Sequence, residues 1–139
     1  MKEYLDFFNE EKEYKKTIAI DFDGVIHSYH KGLYDGTIYG YVLPGAKEQL
    51  KLFREKGYNI IINTARIVDY ETNKLNPEKK RILEKWLREH DIPYDDIFPK
   101  PIAHIYIDDR AFRIDPIEDK KLSWKDKEEE MEKIINKKI

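Results

Sequence analysis

The chain has 139 residues, room for one domain and not for two full catalytic ones. Its 40% hydrophobic and 13% aromatic residues can fill a core under a surface rich in the 39% that are charged, which excludes disorder throughout. A net charge of -2 exerts no global pull toward nucleic acid or an anionic membrane, and the lack of cysteine removes disulfides, thiolate metal sites and cysteine nucleophiles, so any metal must be held by oxygen or imidazole.

Residues 1–16 place Tyr4, Phe7, Phe8 and Tyr14 among acids and lysines, the composition of a short amphipathic helix or arm. This stretch is too charged for a signal peptide, and no apolar run approaches the roughly 18–20 residues that span a bilayer, so a cytoplasmic protein with no membrane partner is expected. Thr17 to Phe22 (TIAIDF) reads as a buried strand whose carboxyl end carries Asp21 and Asp23. From His27 to Leu43 three glycines and four tyrosines follow no period, which suits a flap or tight hairpin and is too short for a cap domain.

Pro44 to Lys56 has Ala46, Leu50 and Phe53 at helical spacing and a stop at Gly57. Tyr58 to Asn63 (YNIIIN) is a second strand closing at Thr64. Asn76-Pro77 caps a second helix, with Ile82, Leu83, Trp86, Leu87 and His90 on one stripe. Asp96 to Phe98 reads as a short strand, and Ile102 to Ile107 (IAHIYI) as a clear third one ending at Asp108 and Asp109, with His104 in the core. Residues 17–116 thus form the main domain, and 117–139 a C-terminal amphipathic helix with Ser123 as cap and Trp124, Met131 and Ile135 on one face.

Alternating strands and helices favour a parallel sheet covered by helices, with ligands beyond the carboxyl ends of the strands. Asp21 and Asp23 flank Phe22, so an extended backbone turns both carboxylates to one side, and Gly24 permits an immediate turn. Two such anions call for a divalent cation, and oxygen-only ligation points to Mg²⁺. Asp108 and Asp109 end another expected strand, and the sheet brings both acidic tips to one edge. Thr64 and Arg66 follow the YNIIIN strand as potential phosphate donors, and Lys100 stands between two prolines on a stiff turn. Taken singly, each of these also fits a solvated loop acid, a capping threonine or a surface lysine.

The order DxDG, Thr, Lys, Asp-Asp, each at or beside a strand end, resembles the haloacid dehalogenase (HAD) superfamily of phosphatases. The resemblance covers residues 17–113, and TIAIDFDGVIHSY, NTAR and KPIAHIYIDDRA are most similar to its small capless members. It implies a three-layer α/β/α Rossmann-like parallel sheet without a large cap domain, working as a Mg²⁺-dependent phosphomonoesterase. By this resemblance Asp21 attacks phosphorus to form an aspartyl-phosphate, and Asp23 is the general acid and base. Asp21, the Asp23 carbonyl and Asp108 hold Mg²⁺, with Asp109 as a further ligand, directly or through water. Thr64 grips phosphate, and Lys100 steadies the phosphoryl group.

Val25 replaces the threonine of many members, and Lys79, Lys80 or Arg81 compete with Lys100 as the phosphate-facing cation. Arg66, Arg110 and Tyr29 are expected to contact the phosphorylated substrate, either a small molecule or an exposed phosphate on a larger one. The alternative is a non-catalytic phosphate- or metal-sensing interaction module on the same fold.

Overall fold

The computed structural model describes residues 15–114 and 124–137. The β-branched runs become strands where they find partners: β1 (Thr17–Ile20), β2 (Asn59–Thr64) and β3 (Asp96–Pro99) form a parallel sheet in the order β1-β2-β3. Ile20 lies opposite Ile62, and Thr64 opposite Pro99. Helix α1 (Ala46–Glu55) connects β1 to β2, and α2 (Pro77–Glu89) connects β2 to β3, so the chain runs through two successive strand-helix-strand crossovers. This is a small Rossmann-like α/β architecture, with no large cap domain among the described residues.

The ends of the helices follow from their residues. Gly45 (φ 85) and Gly57 (φ 88) bracket α1 in the left-handed region that favours glycine. Asn76 caps α2 by accepting the N–H groups of Glu78 and Lys79, with Pro77 where no intrahelical donor is needed. Along β2 the burial alternates: Ile60, Ile62 and Thr64 are buried, and Asn59, Ile61 and Asn63 are half-buried. The buried set packs with Ile20, Phe22, Leu50, Phe53, Leu83, Trp86 and Leu87 into one core.

Two expectations need correction. Ile102 to Ile107 forms no strand, because a strand exists only by pairing and this run pairs with none among the described residues. Its Ile102 N–H is bonded to the Asn73 side chain, His104 is exposed rather than in the core, and Ile107 is 91% exposed. The C-terminal helix is shorter than expected: a 3₁₀ turn (Trp124–Lys127) leads into α3 (Glu128–Ile135), with Trp124 and Met131 buried against the core. The N-terminal arm, apart from Lys15 and Lys16, and the Ser123 cap lie outside the described residues. Among the described residues no helix is long and apolar enough to cross a membrane.

Candidate active site

The parallel register brings three strand ends to one edge. Asp21 follows β1, Thr64 is the last residue of β2, and Lys100 follows β3. The Lys100 N–H donates to the Thr64 carbonyl at 3.0 Å, extending the pairing by one residue, and Lys100 Nζ lies 3.5 Å from Asp21 Oδ2. Burial pushes the Asp21 carboxyl above its ordinary range, and the Lys100 charge and the Phe22 N–H, 2.7 Å from Asp21 Oδ1, oppose that rise. The neighbouring Asp23 charge adds to it.

Beyond Asp21 the backbone folds tightly: the Phe22 carbonyl accepts the N–H groups of Val25, Ile26 and His27, with Gly24 at φ 79. Phe22 is wholly buried, so its ring anchors the segment while the flanking aspartates stay partly accessible. Asp23 receives Arg66 in a bidentate pair, Nε to Oδ2 at 2.9 Å and Nη2 to Oδ1 at 2.8 Å, and His27 Nδ1 lies 2.8 Å from the same Oδ1. Burial alone raises the Asp23 carboxyl, but the hydrogen bonds from His27 and Arg66 and the guanidinium charge outweigh it and hold the group below its ordinary range. Asp23 is therefore a carboxylate in the free protein.

Thr64 is buried, and its hydroxyl oxygen accepts the Arg66 N–H at 3.1 Å, which starts a 3₁₀ turn (Ala65–Ile67). The hydroxyl proton is left to donate elsewhere. Arg66, expected at the substrate, instead turns onto Asp23, with Nη1 on the Thr37 carbonyl at 3.1 Å and its guanidinium 5.0 Å from the Tyr34 ring centre.

The flap from His27 to Leu43 is closed at its neck by Ser28 N–H to the Tyr41 carbonyl and Leu43 N–H to the Ile26 carbonyl, both at 2.8 Å. Tyr29 is half-buried at φ 48, an uncommon conformation for a bulky residue, and stacks on Tyr39 with ring centres 6.1 Å apart. Asp35 accepts both the N–H and the hydroxyl of Thr37, which lowers its pKa to about 2.

The remaining expected residues lie elsewhere. Asp108, Asp109 and Arg110 are exposed; the Arg110 N–H donates to Asp108 Oδ1, Lys137 Nζ to the Asp109 carbonyl, and Arg110 Nη2 to the Lys137 carbonyl. The expected meeting of Asp108 and Asp109 with Asp21 and Asp23 is thus not made here, because the segment before them has not joined the sheet. Among the described residues no group of three or more His, Asp or Glu side chains is placed to hold a metal. Of the competing cations Lys79, Lys80 and Arg81, Lys79 Nζ bonds the Val68 carbonyl and Arg81 pairs with Glu78, while the ion pair at Asp21 is made by Lys100. His27 had only its place in the tyrosine-rich flap to suggest a role; the signal was its position four residues after Asp23.

No protein-family model and no curated protein matches the chain. It is similar to a structural-genomics target from Vibrio cholerae known from its crystal structure, with 30% sequence identity and a TM-score of 0.63 over 86% of this chain and 96% of that one.

Proposed function

We propose that this chain, which belongs to the same family as the Vibrio cholerae protein, is a HAD-type phosphomonoesterase acting through an aspartyl-phosphate on Asp21. The observation that carries the reading is the grouping of Asp21, Thr64 and Lys100 at adjacent strand ends, with Lys100 Nζ 3.5 Å from the Asp21 carboxylate. A carboxylate oxygen of Asp21 bonds to phosphorus as the bond to the leaving oxygen breaks. The Thr64 hydroxyl and the Lys100 ammonium meet the charge of the transferring group.

Asp23 supplies the proton that the leaving oxygen takes, and recovers one from the water that then hydrolyses the aspartyl-phosphate. Because Arg66 and His27 hold Asp23 ionised in the free protein, it must first gain a proton. A phosphate dianion arriving beside Asp21 favours that gain, since a nearby anion raises a carboxyl pKa.

Mg²⁺ belongs to this reading by resemblance, and the described arrangement does not fit it: Asp21 and the Asp23 carbonyl are at hand, and Asp108 and Asp109 are not. No step is routed through the ion. A non-catalytic phosphate-sensing module is the second reading, favoured by one observation, the full engagement of Asp23 by Arg66 and His27.

The deciding experiment is a phosphatase screen with Mg²⁺ over metabolites, phosphoproteins and oligonucleotide ends, run beside Asp21→Asn. Turnover that the variant lacks supports the enzyme. Binding of phosphate without turnover by either protein supports the sensor.

A further inference from the structure

His27 is a fully buried side chain whose part in the steps above is confined to holding Asp23 ionised. Both of its ring nitrogens are engaged, Nδ1 with Asp23 Oδ1 at 2.8 Å and Nε2 with the Gly40 N–H at 2.9 Å. A backbone N–H only donates, so Nε2 presents its lone pair, and the proton of the neutral ring sits on Nδ1, facing the carboxylate.

The ring itself is held in place. Phe22 stacks on it with centres 5.4 Å apart and planes at 18°, and Tyr39 and Trp86 meet it edge-on at 5.3 and 5.9 Å. Only glycine permits the Gly40 contact, since a Cβ there would lie 2.7 Å from His27 Nε2 and closer still to Ser28 Oγ. Across the carboxylate, Arg66 bonds the flap carbonyl of Thr37. Both groups that hold Asp23 are therefore themselves held by the flap. The load on Asp23 is also uneven: Oδ1 meets His27 and two Arg66 nitrogens, and Oδ2 meets Arg66 Nε alone.

We propose that His27 is a positioning residue that carries the seating of the flap to the acid-base carboxylate. The Gly40 N–H fixes its tautomer, and its Nδ1–H pins Asp23 Oδ1, leaving Oδ2 as the oxygen that exchanges the proton. This inference rests on the phosphatase reading. It adds that a flap without catalytic groups of its own governs protonation of the leaving group.

Two substitutions separate the two bonds. The amide of His27→Asn can donate to Asp23 from the place of Nδ1, and that of His27→Gln can accept from Gly40 at the place of Nε2. The readout is kcat on an alkyl and an aryl phosphate, whose leaving groups differ in their need for a proton, with circular dichroism to confirm folding. His27→Gln should fall at least about tenfold below His27→Asn on the alkyl ester, with the two within about threefold on the aryl ester.

Equal losses for both variants, or the same loss on both esters, would overturn the positioning role while leaving the phosphatase reading intact. If neither variant folds, Gly40→Ala, whose Cβ would press on both Ser28 Oγ and His27 Nε2, disturbs the ring contact while leaving His27 and Asp23 unsubstituted. A loss confined to the alkyl ester then supports the role, and a uniform loss overturns it. A parent inactive on both esters overturns the phosphatase reading, and this inference with it.

Discussion

The guanidinium of Arg66 spans both oxygens of Asp23, with Nε 2.9 Å from Oδ2 and Nη2 2.8 Å from Oδ1, joining the turn after β1 to the turn after β2. The arginine side chain is 4% exposed and the aspartate 19%, so the pair is screened from water far more than a surface ion pair. It fixes the candidate acid-base group and braces the site in one contact.

Arg66→Met should destabilise the fold by up to about 3–5 kcal/mol, because it leaves a largely buried carboxylate with His27 but without its guanidinium. The pH dependence has a definite sign. With its folded pKa below the ordinary 3.8, Asp23 contributes stability that is fully present above that value and lost as pH falls through the folded pKa. Urea midpoints measured between about pH 2 and pH 6 should show a steeper acid-side loss in the parent than in the variant. Parallel curves would remove Asp23 as the source.

Lys100→Met acts on Asp21 in the opposite sense. Burial holds this carboxyl above 3.8 and Lys100 restrains the rise, so losing the ammonium moves it further up. A raised folded pKa means that ionising Asp21 lowers stability as pH climbs from 3.8 through the folded value. Carboxyl NMR titration of the free protein reads the shift directly. Turnover should fall by about 10²–10³-fold, the usual loss of a transition-state cation or donor. An unmoved Asp21 titration would mean that the ammonium faces elsewhere in solution.

Asp21→Asn should abolish turnover with the fold intact, since an amide keeps the side chain's shape and cannot attack phosphorus. Mass spectrometry of the acid-quenched parent should find phosphate on the peptide containing Asp21 and none in the variant. Phosphate on another side chain would refute the assignment.

If the resemblance extends to the metal, chelation should stop activity, and Mg²⁺ should restore it better than Ca²⁺, whose looser coordination disturbs in-line geometry. Asp108→Asn and Asp109→Asn should each raise the Mg²⁺ concentration needed for half activity. Activity in chelator equal to that in Mg²⁺ would remove the metal from the reading.

The parts of the fold written in local chemistry were legible. The expected helix over Pro44–Lys56 is Ala46–Glu55, the Asn76-Pro77 cap opens α2, and Asp96 to Phe98 lies within β3. Asp21 and Thr64 were legible as strand-end residues, because alternation of strands and helices places such ends on one edge; Lys100, read only as a cation on a proline-flanked turn beside a strand end, proves to follow β3. Ile102 to Ile107 was misread because β-branched composition expresses a capacity to pair and carries no information about the partner. The pairing of Arg66 with Asp23 was hidden for a related reason: it joins residues 43 positions apart, and only the packed turns set that distance.

Lys100 stands between Pro99 and Pro101, and its own N–H is tied to the Thr64 carbonyl. Its backbone has little freedom left to surrender when an anion arrives. Calorimetry of inorganic phosphate binding should therefore show a smaller entropic penalty in this protein than in a Pro101→Gly variant, at similar enthalpy. If Lys100 captures the anion as proposed, the two prolines should make that capture less dependent on temperature, a thermal property encoded beside the cation rather than in it.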